Sequence, residues 1–179
     1  MKDISLVCVD CGKKFASNQA IWRCECGGLL DVKMDVEFPI EEIKKRPPNL
    51  WRYFEALPIN NPSNIISFSE GFTPLLPMNF DGKVVRIKQD HLFPSGSYKD
   101  RGATVLISVA NEIGVKKVVE DSSGNAGCAI AAYCAQANIE CDIYVPANTS
   151  LGKLAQINQY GANLHLIPGS REDTARAVL

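Results

Sequence analysis

The sequence lacks an excess of charge of either sign, a long apolar run and a secretory leader. Lys and Arg together number 19, Asp and Glu number 20, and the formal net charge is −1. Because broad nucleic-acid binding normally shows as a basic patch, this balance argues against that class of protein. No stretch approaches the ~18 consecutive apolar residues of a membrane span, and the first residues have no apolar signal-peptide core. We therefore expect a cytoplasmic protein that binds neither nucleic acid nor membrane.

The seven cysteines are unevenly distributed. Cys128, Cys134 and Cys141 fall in apolar segments and are typical of small buried side chains. The other four form two pairs, each followed by glycine: Cys8, Cys11, Cys24 and Cys26. Four thiolates at such turns can close a tetrahedral structural zinc site with no open coordination position. The second pair has a shorter gap than usual, so plain free thiols are the alternative.

The chain divides into three stretches. Residues 1–35 hold the cysteine pairs and are expected to form a zinc-ribbon-like segment. Residues 36–80 read as a connector that leads into the core, with a short helix at 49–56. Residues 81–179 alternate strand and helix patterns, which predicts the first part of an α/β core, a parallel sheet with helices on both faces. The predicted strands are 84–88, 115–120, 141–145 and 162–167, and the predicted helices are 97–113, 125–137, 150–160 and 171–179.

The last predicted helix opens on a capping pattern formed by Ser170 and Asp173. It reaches Leu179 without a helix-ending residue or a further strand. We interpret the chain as an N-terminal fragment that lacks a second α/β half. A natural terminal helix is the alternative.

The loop at 90–98 leads into a helix that is predicted to start at Ser97, because Ser97 and Asp100 fit a capping box. Lys99 then falls in the first turn, where the helix dipole opposes an ammonium group. A solvated lysine is the plain interpretation of this residue. The functional interpretation is Schiff-base chemistry, which needs a lysine whose charged form is disfavoured.

A second loop, with the sequence DSSGNAG at 121–127, follows a predicted strand and opens the next helix. Small residues there leave backbone N–H groups accessible to an anion, although they are also typical of a simple tight turn. Neither a dinucleotide-binding nor a phosphate-loop motif is present, so nucleotide binding has no support. Ligands of open α/β sheets gather beyond the carboxyl ends of the strands. If adjacent parallel strands feed the two loops, Lys99 lies close to Asn125.

The two loops together resemble the motifs of the fold-type II pyridoxal-phosphate enzymes. The sequence SYKDRG at 97–102 resembles their lysine motif, and SSGNAG at 122–127 resembles their asparagine loop. More narrowly, the chain resembles the threonine synthase family, and this resemblance covers nearly all of its length. The segments that fall in that family's order are the cysteine pairs, WRY at 51–53, EGFTPL at 70–75, KLAQ at 153–156 and YGA at 160–162.

The resemblance implies a role for each matching residue. Lys99 would hold pyridoxal phosphate as an internal aldimine and would move protons at Cα and Cβ of the substrate. Asn125 would hydrogen-bond the ring hydroxyl of the cofactor. Ser122, Ser123 and the backbone of Ala126 would receive the substrate carboxylate.

The chain departs from the family pattern in the lysine motif, where the usual NPTGSFK reads FPSGSYK at 93–99, and at positions 90 and 126. Phe93 stands in place of an asparagine, Asp90 stands where glutamate is common, and Ala126 stands where threonine is frequent. These changes leave the lysine and asparagine roles intact and loosen the substrate assignment. In the family, the groups that hold the cofactor phosphate and its pyridine nitrogen come from later sequence. The resemblance therefore implies that this chain alone is inactive.

The implied reaction converts O-phospho-L-homoserine and water into L-threonine and phosphate by γ-elimination and β-hydration. A small amino-acid substrate is the expected partner, and the resemblance also allows a homodimer. One alternative is a related lyase or β-replacement enzyme, such as cysteate synthase or threonine dehydratase. Another is a non-catalytic zinc-ribbon binding module attached to an α/β domain.

Overall fold

The computed structural model describes residues 2–179, except for the side chain of Lys153. At the N-terminus three short strands form an antiparallel sheet in the order β2-β1-β3. They are β1 (Ile4–Cys8), β2 (Lys14–Ala16) and β3 (Leu30–Met34). The register pairs Leu6 of β1 with Phe15 on one side and with Val32 on the other. One cysteine pair begins at the end of β1 and the other precedes β3, so both lie in turns beside this sheet.

A connector of short helical turns follows the N-terminal sheet. It contains α1 (Ile40–Lys45) and two 3₁₀ helices, Leu50–Ala56 and Pro62–Asn64. The short helix predicted at 49–56 is therefore present, in 3₁₀ form. Within it Trp51 is buried and Phe54 is half-buried, so its apolar side faces the rest of the molecule.

The strand predicted at 84–88 is present, but its assignment to the parallel sheet is wrong. β5 (Lys83–Lys88) pairs antiparallel with β4 (Leu75–Phe80), a strand that the sequence pattern does not predict. The turn between them is Asp81-Gly82, where φ is 49° and 73°. A two-residue turn joins antiparallel strands, whereas parallel neighbours need a long crossover. The short turn therefore makes these strands a separate hairpin, and every residue of both strands is exposed.

The rest of the chain forms the predicted α/β unit, with a parallel sheet of three strands in the order β6-β7-β8. Its strands are β6 (Lys117–Glu120), β7 (Glu140–Pro146) and β8 (Asn163–Ile167), and its helices are α2 (Asp100–Glu112), α3 (Asn125–Ala137), α4 (Leu151–Gln159) and α5 (Arg171–Ala177). The successive residues Cys141, Asp142 and Ile143 of β7 are all buried. Because successive side chains of a strand point to opposite faces, both faces of the sheet are covered.

Helix α3 lies at the centre of the core. Every residue from 127 to 134 is buried, and α3 contacts α2, α4, β6 and β7. Its small alanine, glycine and cysteine side chains allow this close packing. Cys128, Cys134 and Cys141 are buried, as predicted. Over residues 2–179, no helix is long and apolar enough to cross a membrane.

Residues that favour helix termini lie where the sequence predicts them. Gly114, Asn138 and Gly161 follow α2, α3 and α4 in left-handed conformation, with φ of 80°, 53° and 78°. At the start of α5, Ser170 and Asp173 form the complete capping box. These local signals set most helix ends, and the exception is the start of α2.

Candidate functional site

Lys99 lies just before the helix in which the sequence analysis places it. Helix α2 begins at Asp100, so the predicted start at Ser97 is wrong and Lys99 is the N-cap residue. The predicted capping box does not form, because the Asp100 carboxyl pairs with Ser95 and the Ser97 hydroxyl oxygen accepts from the Lys99 N–H at 3.3 Å. Lys99 is exposed, with its Nζ 5.1 Å from the centre of the Tyr98 ring.

The turn before Lys99 is anchored by the buried carboxyl of Asp100. The Ser95 N–H donates to Asp100 Oδ2 at 2.9 Å, and the Ser95 hydroxyl donates to Oδ1. Burial raises the pKa of Asp100, and the hydrogen bonds from Ser95 oppose this rise. On its other side, the turn is held by Gln156 of α4, whose Nε2 donates to the Ser95 carbonyl at 2.9 Å. Lys99 therefore projects from a turn that is tied to two helices.

The loop at 121–127 joins the carboxyl end of β6 to α3, which begins at Asn125. Its path requires glycine at position 127, because a Cβ on Gly127 would lie 2.0 Å from the Ser122 carbonyl oxygen. Asn125 is exposed at the first turn of the helix, where backbone N–H groups are free to bind an anion.

The residues predicted to receive a carboxylate all lie in this loop. Ser122, Ser123 and Ala126 are half-buried. The Ser122 hydroxyl oxygen accepts a hydrogen bond from the Gly124 N–H at 3.3 Å, which leaves the hydroxyl proton available to a ligand. A pair of hydroxyl groups at a helix N-terminus is suited to bind a small carboxylate.

Glu120 is an acidic residue beside the loop that was not among the predicted site residues. It ends β6, directly before the loop. Burial raises the pKa of Glu120 and Asp121 adds to the rise, while the positive charges of Arg171 and Lys99 oppose it. The charge of Lys99 is thus among those that stabilise the ionised form of Glu120 at the carboxyl end of β6. An acidic residue at the end of a strand, next to a glycine-rich loop, is the sequence signal that points to Glu120.

A second acidic residue ties the lysine motif to the connector. Arg101 donates through Nε and Nη2 to the carboxylate of Asp90, at 3.1 and 3.0 Å, and the Thr73 hydroxyl donates to the same carboxylate at 2.6 Å. The Arg101 guanidinium lowers the pKa of Asp90. Asp90, which stands where glutamate is common, thus forms an ion pair with Arg101 of the lysine motif.

The four N-terminal cysteines converge on one point. One ligand atom from each of them lies within 4.8 Å of the other three. Cys8 Sγ is 3.5 Å from Cys26 Sγ, and Cys11 Sγ is 3.6 Å from Cys24 Sγ. The turns are closed by N–H groups of Gly12 and Gly27, which donate to the carbonyls of Cys8 and Cys24. These separations suit a tetrahedron of thiolates around one ion with Zn–S bonds of about 2.3 Å.

The α/β unit carries an exposed lysine at the start of α2 and a loop of small residues at the start of α3, and these two helices pack against each other. An amine with nearby carboxylate-binding groups is suited to chemistry on an amino acid through a carbonyl cofactor. Residues 66–179 match the family described as pyridoxal-phosphate dependent enzyme, and the chain belongs to that family.

Curated relatives narrow the comparison within the family. Threonine synthase of Methanocaldococcus jannaschii is 39% identical over an alignment of 182 positions that covers 96% of this chain and 45% of the relative. Threonine synthase of Methanosarcina acetivorans is 34% identical over 97% of this chain and 45% of the relative. The chain thus spans about half the length of the curated relatives that it matches.

Solved structures show the same α/β fold in enzymes with other reactions. A hydrogen sulfide-producing enzyme from Fusobacterium nucleatum has a TM-score of 0.56 and 28% identity over 66% of this chain and 41% of its own. Serine racemase from Dictyostelium discoideum has a TM-score of 0.51 and 31% identity over 59% of this chain and 37% of its own. The fold is therefore shared by several reactions, and the substrate has to be argued from the sequence relatives and the site.

Proposed function

We propose that the chain is part of a threonine synthase, which converts O-phospho-L-homoserine and water into L-threonine and phosphate. The observation that carries this proposal is the 39% identity to a threonine synthase over 96% of the chain. That similarity extends through the cysteine segment and the connector, beyond the region 66–179 shared with the wider family.

The groups on the chain fit pyridoxal phosphate. Lys99 offers an exposed primary amine, and Asn125 offers an exposed amide at a helix start. Lys99 would hold the cofactor aldehyde, and Asn125 would hydrogen-bond the ring hydroxyl. When bound, the cofactor supplies an electron sink for carbanion chemistry at the amino acid.

The remaining groups orient the substrate. Ser122 and Ser123 donate hydroxyl hydrogen bonds to the substrate carboxylate, and the N–H of Ala126 completes the cradle at the start of α3. The Lys99 amine, when free, takes and returns protons at Cα and Cβ. Because the chain spans about 45% of the length of its relatives, we assign the complete activity to a longer protein. The 179-residue chain alone is expected to be inactive.

The test is turnover by the longest available form of the protein. O-phosphohomoserine should give equimolar threonine and phosphate, and Lys99→Ala should lower this rate by at least about 10²-fold, the contribution of a positioned acid–base group. Lys116→Ala, at another exposed lysine, is the matched control and should keep the activity. Turnover of phosphoserine or threonine in place of O-phosphohomoserine would favour another enzyme of this fold.

The four-cysteine cluster supports a second proposal, a structural zinc site formed by Cys8, Cys11, Cys24 and Cys26. Four thiolates leave no coordination position for substrate, so the ion would stabilise the N-terminal sheet. A non-catalytic ribbon module that binds another macromolecule is the competing interpretation. It predicts partner binding that survives Lys99→Ala and that is unrelated to amino-acid turnover.

A further inference from the structure

Glu70 is a buried carboxyl group that the proposed chemistry does not use. Only 2% of the residue is exposed. Trp51 Nε1 donates to Oε1 at 3.1 Å, and the Tyr133 hydroxyl donates to Oε2 at 2.8 Å. The Ser67 hydroxyl donates to both oxygens, at 3.0 and 3.1 Å, and the Phe68 N–H donates to Oε2 at 2.8 Å. All of these donors are uncharged groups, so hydrogen bonds alone offset the burial of the carboxyl.

These bonds join three parts of the fold. Trp51 belongs to the connector and also donates to the Thr104 hydroxyl of α2 at 3.0 Å. The Thr104 hydroxyl in turn donates to the Ile66 carbonyl at 2.7 Å. Tyr133 belongs to α3, and burial together with the nearby charge of Glu70 raises its pKa, which keeps the phenol protonated as a donor. The Glu70 carboxyl thus holds α2, through Trp51, and α3, through Tyr133.

The network contacts α2 and α3, the same two helices whose starts form the candidate site. Thr104 is five residues beyond Lys99, about 7 Å along the axis at 1.5 Å per residue. Tyr133 is eight residues beyond Asn125, about 12 Å along α3 by the same rise. A rigid helix carries a shift at one turn to its end, so a change at Glu70 is expected to displace the starts of α2 and α3.

We propose that Glu70 is a positioning residue that sets the distance and angle between the helix starts carrying Lys99 and Asn125. This inference rests on the proposed function, because only there do both residues hold one cofactor. Glu70 touches neither substrate nor cofactor. It acts by giving Trp51 and Tyr133 a common acceptor.

Glu70→Gln is the sharpest test because it keeps the shape and replaces one acceptor oxygen with an amino group. If the amino group replaces Oε2, the Phe68 N–H loses its acceptor; if it replaces Oε1, the Trp51 N–H keeps only the Thr104 hydroxyl. Glu112→Gln is the matched control, because Glu112 ties the connector to the opposite end of α2 by accepting from the N–H groups of Asn60 and Asn61 at 3.1 and 2.6 Å. Both variants weaken hydrogen bonds that join the connector to α2. Only Glu70→Gln also disturbs the network that connects α2 with Tyr133 of α3.

The measurement is borohydride trapping of pyridoxal phosphate on Lys99, quantified by peptide mass spectrometry over a concentration series, with Lys116 as internal reference. We expect Glu70→Gln to raise the apparent Kd at Lys99 about tenfold, the effect of one unpaired buried donor. Glu112→Gln should lower the melting temperature without changing that Kd. An unchanged Kd in Glu70→Gln, or an equal change in both variants, would overturn the inference.

A readout without cofactor separates this inference from the proposed function. In ¹H–¹⁵N spectra, Glu70→Gln should shift the amide signals of both Lys99 and Asn125, and Glu112→Gln should leave them in place. If wild-type Lys99 is trapped no better than Lys116, the proposed cofactor role fails, and these spectra decide the positioning role alone. If Glu70→Gln does not fold, Tyr133→Phe removes a single donor and is measured in the same way, with unshifted signals counting against the proposal.

Discussion

At the scale of single residues, the candidate site depends on neighbours more than on its own side chains. Lys99 is exposed, and the buried Asp100 carboxyl fixes the turn that carries it. The loop that carries Asn125 depends on Gly127, which packs against a backbone carbonyl with no room for a side chain. The chemistry-bearing groups are thus accessible, while the residues that hold them are buried and intolerant of change.

Gly127→Ala should destabilise the chain and displace the loop at 121–127. The added Cβ would lie 2.0 Å from the Ser122 carbonyl oxygen, so the backbone has to move, at about 1–3 kcal/mol for overpacking of this kind. Gly152→Ala is the matched control, because among the described residues a Cβ there would meet no atom within 4 Å apart from its chain neighbours and the backbone of α4 itself. It should be neutral or stabilising by up to about 1 kcal/mol. Urea denaturation measures both values, and equal effects would contradict the packing argument.

At the scale of elements, an ion pair joins two parts of the connector, the end of α1 and the 3₁₀ helix Leu50–Ala56. Arg46 follows α1 and donates to both carboxylate oxygens of Glu55, at 2.6 and 2.5 Å. Arg46 Nη1 also donates to the Arg52 carbonyl at 2.9 Å. The guanidinium thereby joins two short helical segments that bury little surface of their own.

The Glu55 ion pair should make stability depend on pH in the acid range. The hydrogen bonds from Arg46 lower the pKa of Glu55 from its ordinary 4.5 to about 2. A carboxyl with a lowered folded-state pKa contributes stability above its unfolded pKa, and this contribution is lost as the pH falls from 4.5 towards 2.

Glu55→Gln should therefore reduce the loss of unfolding free energy over this pH range, by about 1 kcal/mol after solvent screening. Glu42→Gln is the control, since its partner Lys45 is an exposed lysine 2.8 Å away and exposed pairs contribute little. Unfolding by urea at a series of pH values measures the difference. A wild-type pH profile in Glu55→Gln would show that the ion pair has no such role.

The N-terminal sheet should depend on metal in a way that the α/β unit does not. We expect one zinc ion per chain by elemental mass spectrometry, and its loss in Cys24→Ser. Cys128→Ser is the control, because Cys128 is buried in α3 away from the cluster and its loss should leave the metal content unchanged.

Removing zinc with a chelator should unfold β1 to β3 while α3 remains helical, because a site of this kind contributes folding energy to a segment with a small core. Amide signals of Leu6 and of Ile130 report on the two regions. Retention of the Leu6 signal in zinc-free protein would contradict a structural metal.

At the scale of the whole molecule, the hairpin of β4 and β5 is solvent-exposed at every residue of both strands. Directly paired residues share a face, so the pairs Leu76–Ile87 and Met78–Val85 form one apolar surface. Met78 is 47% exposed and Val85 is 40% exposed. An isolated two-stranded hairpin has little stability in water, and exposed apolar faces promote association.

Replacing Met78 and Val85 with threonine should lower the self-association of the 179-residue chain and its binding of a hydrophobic dye. The control is Val84→Thr, because Val84 pairs with Asn79 on the opposite face of the hairpin. Sedimentation velocity measures association and dye fluorescence measures the exposed apolar area. Unchanged association in the double variant would show that this face does not drive it.

Local rules applied to the sequence are enough to predict part of the fold. The apolar small-residue run at 125–137 predicted α3 at its observed bounds, and Gly114, Asn138 and Gly161 predicted the helix ends, because a left-handed residue is required at the position itself. The lysine motif and the asparagine loop, recognised as a family resemblance, supply the residues of the candidate site, and their roles stay predictions.

Contacts between residues that are distant along the chain follow from the complete fold and are not predicted from local sequence. The exception is β5, whose pairing with β4 follows from the adjacent Asp81-Gly82 turn, a local signal that the sequence pattern uses only as a turn because it does not predict β4. Asp100 fits a cap for Ser97 in sequence, and the fold pairs it with Ser95 instead, because a buried carboxyl has to satisfy its acceptors where donors are available. Glu70 likewise gains its place from Trp51 and Tyr133, which lie 19 and 63 residues away. Such contacts form only when the chain closes on itself, and they place the two helix starts that carry Lys99 and Asn125.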